Sequence, residues 1–187
     1  MNDYIYIATD IESDGPVPGK HSMISFASVA FTEKKGIIAE FSRNLFPLPE
    51  AEQDSQTMEW WKGFPEQWQL TQTDQVNALE GSSDFLSWLN HFSPKELIFV
   101  SDYISFDMPF IKWYLYHFTN SDPFGNQQLD LMSFASALIK KPQPEFKLRN
   151  IPERWTEGTN HDHTSLSDAK AHAVMCLRMF SENNSRT

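Results

Sequence analysis

The chain has 187 residues, of which 40% are hydrophobic, and this is enough to bury one sizeable core. Its single cysteine, Cys176, excludes an internal disulfide, and neither a signal peptide nor an apolar run of about 18 residues is visible. The net charge of −10 argues against tight binding of long duplex nucleic acid, which requires many Lys and Arg. We therefore expect a cytoplasmic protein without a membrane span, with one domain over residues 1–180 and a frayed polar tail over 181–187.

Strands and helices alternate along most of the sequence. β-branched and aromatic residues predict three opening strands, which are Tyr4–Glu12, Met23–Thr32 and Gly36–Leu45. Helical spacing then predicts helices up to Leu70 and over Ser83–Phe92, Ser105–Phe118, the stretch before Lys141, and Ser165–Phe180. Short strands are predicted at Glu96–Ser101 and Gln128–Leu131. This order indicates an α/β fold, with a mixed sheet whose first three strands are antiparallel and whose later strands are parallel, covered by helices on both faces.

Four acidic residues stand at the ends or beginnings of these elements. Asp10 and Glu12 are two residues apart on the first strand, so their side chains share a face and repel each other unless a cation lies between them. Asp107 lies in the first turn of the helix after the apolar strand, and Asp168 fits the S-x-x-[DE] pattern that starts a helix. Taken singly, each acid is also explained as a solvated or helix-capping carboxylate.

A histidine precedes the last of these acids by five residues. His163 lies on the loop that enters the terminal helix, and an imidazole can accept a proton from water at neutral pH. Two other interpretations remain open: Asn160–His163 is an inert polar loop, or His161 and His163 form a zinc-binding pair.

Three segments in this order resemble the DEDDh subfamily of the proofreading-type, ribonuclease-H-like 3′→5′ exonucleases. The segments are Asp10-Ile11-Glu12, Phe106-Asp107 followed by Phe110-Ile111, and His163-Thr164-Ser165-Leu166-Ser167-Asp168-Ala169. Thr57-Met58-Glu59-Trp60-Trp61 is similar to an element of exoribonuclease-like members. Many relatives carry His-Asn before the second motif, whereas this chain has Ser101-Asp102-Tyr103-Ile104-Ser105, which makes Asp102 a candidate fifth acid beside the metals.

The resemblance implies a metal-dependent exonuclease that removes nucleoside 5′-monophosphates from the 3′ end of single-stranded nucleic acid, with RNA or short oligonucleotides favoured over DNA. Two Mg²⁺ or Mn²⁺ ions are expected on Asp10, Glu12, Asp107 and Asp168, with His163 as general base. We expect substrate contacts from Ile11, Trp61 and Phe106. Adjacent helical residues point in different directions, so at most one of Trp60 and Trp61 stacks on a base, and core packing is the other interpretation.

Two alternatives and one open question accompany this hypothesis. An enzyme with the same metal site could act on another phosphodiester, such as DNA ends or a small dinucleotide. A catalytically silent binding module could keep the same fold, although the retention of all five chemical residues argues against it. Some relatives dimerise, and the aromatic content permits a homodimer without requiring one.

The charge balance favours a short or single-stranded substrate gripped at one end. The four acids and two divalent ions together carry no net charge, so the rest of the protein carries a charge of about −6. The only stretch dense in positive charge comprises Lys140, Lys141, Lys147, Arg149 and Arg154, and it either guides the phosphate backbone or is a solvated loop.

Overall fold

The computed structural model describes residues 4–142 and 151–186 of the chain. The strands in these ranges are β1 (Tyr4–Ser13), β2 (Met23–Thr32), β3 (Gly36–Leu45), β4 (Gln75–Val76), β5 (Glu96–Ser101) and β6 (Gln128–Asp130). The helices are α1 (Ser55–Trp61), α2 (Pro65–Thr71), α3 (Ala78–Asn90), α4 (Ile104–Thr119), α5 (Leu131–Ile139), α6 (Glu153–Thr156) and α7 (Ser165–Asn184).

The strands form one mixed sheet in the order β4-β3-β2-β1-β5-β6. β1 pairs antiparallel with β2 and parallel with β5, β2 pairs antiparallel with β3, and β6 pairs parallel with β5. This confirms the predicted sheet, with an antiparallel opening followed by parallel strands. β1 therefore lies in the interior of the sheet, where both of its edges are hydrogen-bonded.

Helices cover both faces of the sheet, as the sequence predicts. Along β1, Ile5, Ile7 and Ile11 pack into a core with Phe85 of α3 and Phe110 of α4. The residues between them face the opposite way, because successive side chains of a strand alternate between its two faces. Tyr6 and Ala8 thus belong to a second core, with Leu131 of α5, Trp155 of α6 and Met179 of α7.

The predicted helix before Leu70 is two helices. Lys62, Gly63 and Phe64 separate α1 from α2, and Pro65 starts the second helix at a position where its missing N–H is tolerated. α3 begins at Ala78 rather than Ser83, because the Asn77 side chain accepts a hydrogen bond from the backbone N–H of Glu80 and caps the helix.

Two short elements were not predicted from the sequence. β4 has two residues and pairs parallel with the end of β3, and α6 is a single turn in the segment between the helix before Lys141 and the terminal helix. Elements this short have too few residues to show a hydrophobic period.

The C-terminal part of the prediction was wrong, because α7 continues to Asn184 instead of ending at Phe180 with a frayed tail. Glu182 explains the difference, since it accepts hydrogen bonds from Arg154 and from the Trp155 indole. Of the basic stretch, Lys147 and Arg149 lie outside the described residues, and Arg154 is paired with Glu182. In the described ranges, no helix combines the length and the apolar character that a membrane crossing needs.

Candidate active site

The structure brings the four predicted carboxylates and His163 into one cleft of about 180 Å³. Asp10 and Glu12 come from the carboxyl end of β1, Asp107 from the first turn of α4, and Asp168 from the first turn of α7. β1 and β5 are neighbouring parallel strands, so their carboxyl ends meet at one edge of the sheet, where α4 begins. Residues distant in sequence are therefore close together at this edge.

Asp107 is fixed by hydrogen bonds to both neighbouring strands. Its Oδ1 accepts the backbone N–H of Ile11 at 3.2 Å, and its Oδ2 accepts the hydroxyl of Ser101 at the end of β5. The side chain is almost completely buried. These contacts hold the carboxylate beside Asp10 and Glu12 rather than leaving it in solvent at the start of the helix.

Asp168 is held by the loop that precedes α7. The backbone N–H of Asp162 donates to its Oδ1 at 3.1 Å, and His161 Nδ1 lies 2.9 Å from its Oδ2. Asp162 also accepts hydrogen bonds from the backbone N–H and the hydroxyl of Thr164. The loop and the carboxylate therefore fix each other's positions.

Burial and mutual repulsion disfavour the ionised carboxylates. Burial raises the pKa of Asp10 well above its usual range, and the nearby charges of Asp107, Glu12 and Asp168 raise it further. The pKa of Glu12 is raised by burial and then by Asp168 and Asp107. Burial raises the pKa of Asp107 to about 7, against the hydrogen bond from Ser101 that lowers it. Bound cations would remove this repulsion and favour the charged forms of all these groups.

His163 faces the same acids from the loop. One of its ring nitrogens lies within 4.8 Å of carboxylate oxygens of Glu12 and Asp168. Its backbone has φ = 60°, a left-handed conformation that is uncommon for a residue with a side chain. The ring meets Trp60 and Phe64 edge-on, with centroid separations of 5.0 and 4.4 Å. The connection between α1 and α2 thus holds the imidazole in place.

The expected substrate contacts divide into exposed and buried side chains. Phe106 lines the cleft and is 37% exposed, and Ile11 lines it with a side chain that is almost fully buried. The structure contradicts the predicted substrate contact of Trp61. This side chain is 2% exposed, and its indole N–H donates to the carbonyl of Ser13. The adjacent Trp60 is 43% exposed and beside His163, so it has the free surface that stacking requires.

The sequence analysis missed His172, which lies behind the cleft. His172 follows Asp168 by four residues on α7, a spacing that places two side chains on one face of a helix and could have revealed it. Ligand atoms of Asp102, His161 and His172 all lie within 4.8 Å of one another. His161 belongs to that cluster and His163 to the one with Glu12, so the two histidines do not form the zinc pair considered from the sequence.

A mixed sheet of this order, with four clustered carboxylates and a histidine at one edge, has the fold of solved DEDDh exonucleases. The nuclease domain of 3′hExo, a DEDDh family member bound to rAMP, is similar with a TM-score of 0.70 and 15% identity, covering 95% of this chain and 91% of that chain. Escherichia coli Exonuclease I in complex with a dT13 oligonucleotide is similar with a TM-score of 0.73 and 14% identity, covering 98% of this chain and 42% of that one.

Comparison of sequences identifies the family of the chain. Residues 6–180 match the model of the 3′-5′ exoribonuclease Rv2179c-like domain, and the chain belongs to this family. It is 30% identical over 174 residues to the Escherichia coli 3′-5′ DNA exonuclease Cap18, covering 91% of this chain and 89% of that protein. The chain is a 3′→5′ exonuclease, which confirms the predicted family and enzyme class and removes support for a silent binding module. Its family implies divalent metal ions.

Proposed function

We propose that this exonuclease shortens single-stranded nucleic acid from its 3′ end and releases nucleoside 5′-monophosphates, using two divalent cations and His163 as general base. The observation that carries the proposal is the convergence of Asp10, Glu12, Asp107 and Asp168, from three elements, in one cleft beside His163. The proposal treats residues 1–180 as one exonuclease domain, which the family match over residues 6–180 supports.

The donor set fits hard divalent cations. The four acids offer only oxygen ligands, which suit Mg²⁺ or Mn²⁺ better than a structural zinc ion. Burial raises the pKa values of Asp10, Glu12 and Asp107, and repulsion from the other acids of the cleft raises those of Asp10 and Glu12 further. Two divalent ions held there would orient the scissile phosphate and stabilise the charge that develops on its oxygens.

Each of the five residues has its own role in the proposed reaction. By the family resemblance, Asp10 would bind both ions, Glu12 and Asp168 would bind the ion that activates the attacking water, and Asp107 would act on the second ion through water. His163 takes the proton from that water as its oxygen bonds to phosphorus. The bond from phosphorus to the 3′ oxygen of the shortened chain breaks, and that oxygen ends as a hydroxyl.

Two aromatic side chains near the cleft are suited to hold the terminal nucleotide. Phe106 lines the cleft, and Trp60 is exposed beside His163. Stacking of a base on such a ring contributes about 1–3 kcal/mol to binding, whatever the identity of the base. Trp60 therefore replaces Trp61 as the stacking residue in this proposal.

RNA is the favoured substrate, and DNA is the competing one. The family description names an exoribonuclease, whereas the Escherichia coli relative is named a DNA exonuclease. Exonuclease I has been crystallised in complex with the DNA oligonucleotides dA16 and dT13.

The deciding experiment incubates matched 5′-labelled RNA and DNA oligomers of one sequence with the protein and Mn²⁺ or Mg²⁺. We expect a ladder that shortens stepwise from the 3′ end, faster on RNA, and no ladder with EDTA or with Asp10→Asn. His91→Ala, at an exposed site on the far end of α3, serves as the matched control and should cut normally. Internal cleavage, or an equal ladder from Asp10→Asn, would refute the proposed function.

A further inference from the structure

A second group of metal-binding side chains adjoins the carboxylate cleft. Asp102 follows β5, His161 lies on the loop before α7, and His172 lies on α7 itself. One ligand atom of each lies within 4.8 Å of those of the other two. None of these three residues is a metal ligand or proton acceptor in the nuclease chemistry proposed above, and His161 reaches it only through its contact with Asp168.

His172 is the most unusual member of this group. It is completely buried, and neither ring nitrogen makes a hydrogen bond to any described residue. Nε2 has only the longer ion pair with Asp102, and Nδ1 has no partner among the described residues. Burying a polar group with so few contacts is costly, which is unusual for a residue without a further role.

The spacing of His172 and Asp102 suits two ligands of one ion. His172 Nε2 lies 3.4 Å from Asp102 Oδ1, beyond the usual N–H···O range of about 2.7–3.2 Å. Two ligands at the corners of a tetrahedron around zinc, each about 2.0–2.1 Å from the ion, lie about 3.3–3.4 Å apart. The separation is therefore long for a hydrogen bond but ordinary for a shared cation.

His161 can complete the group from the side of the cleft. Its ring centroid lies 5.3 Å from that of His172, and its side chain is one-third exposed. Nδ1 is within 2.9 Å of a carboxylate oxygen of Asp168, which leaves Nε2 for an ion. Histidines that bind metals commonly direct their second nitrogen at a carboxylate in this way.

We propose that Asp102, His161 and His172 form a second cation site that binds a transition-metal ion such as Zn²⁺. Two imidazoles and one carboxylate are ligands that zinc accepts, whereas Mg²⁺ prefers oxygen alone. Asp102 and His161 both line the cleft, so an ion can enter from it and keep a water molecule as fourth ligand. The site goes beyond the nuclease function and does not depend on it.

The charge of Asp102 supports the same conclusion. Burial acts to raise the pKa of Asp102, but the neighbouring His172 and His161 outweigh it and hold the pKa below its ordinary value. Asp102 is thus a buried anion next to four further acids, and two ions in the carboxylate cleft would neutralise only those four. The competing explanation is that a protonated His172 alone balances this charge.

The test is zinc retention in the presence of excess Mg²⁺, which occupies the oxygen-only cleft. The protein is equilibrated with one equivalent of Zn²⁺ and a weak chelator, desalted, and analysed for metal content. We expect one zinc per wild-type chain, with affinity reduced at least about 10–100-fold in His161→Asn and His172→Asn, since losing a ligand costs no less than losing a residue that orients one.

Two control variants make the result specific. Asp10→Asn should abolish the nucleotide ladder but keep the zinc, and His91→Ala should keep both. His161 lies on an exposed loop, so His161→Asn tests the site even where His172→Asn does not fold. A crystal of the zinc-treated protein should show anomalous scattering between Asp102 and His172.

Three outcomes would overturn the proposal, whereas the nuclease function is judged separately by the nucleotide ladder. They are the absence of retained zinc in the wild type, equal zinc affinity in His161→Asn, and loss of zinc in Asp10→Asn, which would place the ion in the carboxylate cleft. The first two would leave Asp102 and His172 as a simple ion pair.

Discussion

His163 shows how an unfavourable residue conformation can serve a site. Its left-handed backbone directs the imidazole between the aromatic pair Trp60 and Phe64 on one side and Glu12 and Asp168 on the other. Such conformations cost about 1–3 kcal/mol and persist where surrounding contacts determine them. Here the contacts with Trp60 and Phe64 stabilise the left-handed conformation of His163.

Replacing His163 by Ala should lower kcat about 10²–10⁴-fold, the usual contribution of a general base. The melting temperature should change little, because His163 lies on a loop and not in either core. Initial rates on a labelled oligomer from pH 6 to 9 provide the measurement. Wild-type rates over this whole range would remove His163 from the proposed mechanism.

Trp60 and Trp61 should respond in opposite ways to replacement by Ala. Trp61 is buried, so Trp61→Ala should lower the free energy of unfolding by about 3–5 kcal/mol. Trp60 is 43% exposed, so Trp60→Ala should cost less than about 1 kcal/mol of stability but weaken substrate binding by about 1–3 kcal/mol. Urea unfolding and KM separate the two effects, and equal stability losses would contradict the assignment.

The crowded acids predict an unusual pH dependence of the metal-free protein. Asp107, with a pKa of about 7 when folded and about 3.9 when unfolded, binds its proton more tightly in the folded state. Its stabilising contribution is complete below about pH 4 and is lost as the pH rises towards 7. In EDTA we therefore expect a lower melting temperature at pH 8 than at pH 6.

Asp107→Asn should reduce this loss of stability, since an amide does not ionise, and Mg²⁺ should reduce it in the wild type by neutralising the acids. Melting curves of both proteins at pH 6 and pH 8, with and without Mg²⁺, make the comparison. Identical pH dependence in Asp107→Asn would show that Asp107 is not responsible.

At the scale of elements, α7 connects the active site to the distant end of the fold. Asp168 stands in its first turn, and Glu182 in its last turn accepts hydrogen bonds from Arg154 and Trp155. The hydrogen bond from Arg154 and those from Trp155 and Arg186 lower the pKa of Glu182 to about 2. The last turn of α7 is thus part of the folded structure, not a tail.

Glu182→Ala should lower the free energy of unfolding by about 1–3 kcal/mol, because the buried Trp155 indole N–H loses its acceptor. Asn183→Ala, one position along at an exposed site, is the matched control and should have little effect. Urea denaturation measures both. Equal stability of the two variants would mean that α7 gains nothing from this contact.

At the scale of the whole molecule, the net charge limits how the protein holds its substrate. A chain with a charge of −10 repels a polyanion except where bound cations reverse the local charge. Substrate binding should therefore be concentrated at the 3′ end, with few phosphate contacts along the strand.

We accordingly expect KM to differ little between oligomers of 5 and 20 nucleotides. Raising the salt concentration from 50 to 200 mM should change KM far less than the roughly 10³–10⁵-fold seen for proteins with 6–10 phosphate contacts. Steady-state rates on both lengths at both salt concentrations supply the measurement. A steep loss of affinity with salt would indicate an extended basic groove.

The sequence by itself determined the sheet and the main helices, and it singled out the four acids and the histidine that line one cleft. The period-two pattern of β1 places Asp10 and Glu12 on one face, and the spacing of His163 and Asp168 is local to one loop and one helix. Such patterns can be recognised in the sequence because they depend only on the spacing of residues along one strand, loop or helix.

Only the tertiary structure decided which of two adjacent tryptophans is buried, what orients His163, and that His172 meets Asp102. Each of these depends on how separate elements pack: α1 against the end of β1, the α1–α2 corner against the loop before α7, and α7 against the end of β5. Contacts between residues 48 to 99 positions apart leave no periodic signal in the chain, because packing in three dimensions, not local spacing, creates them.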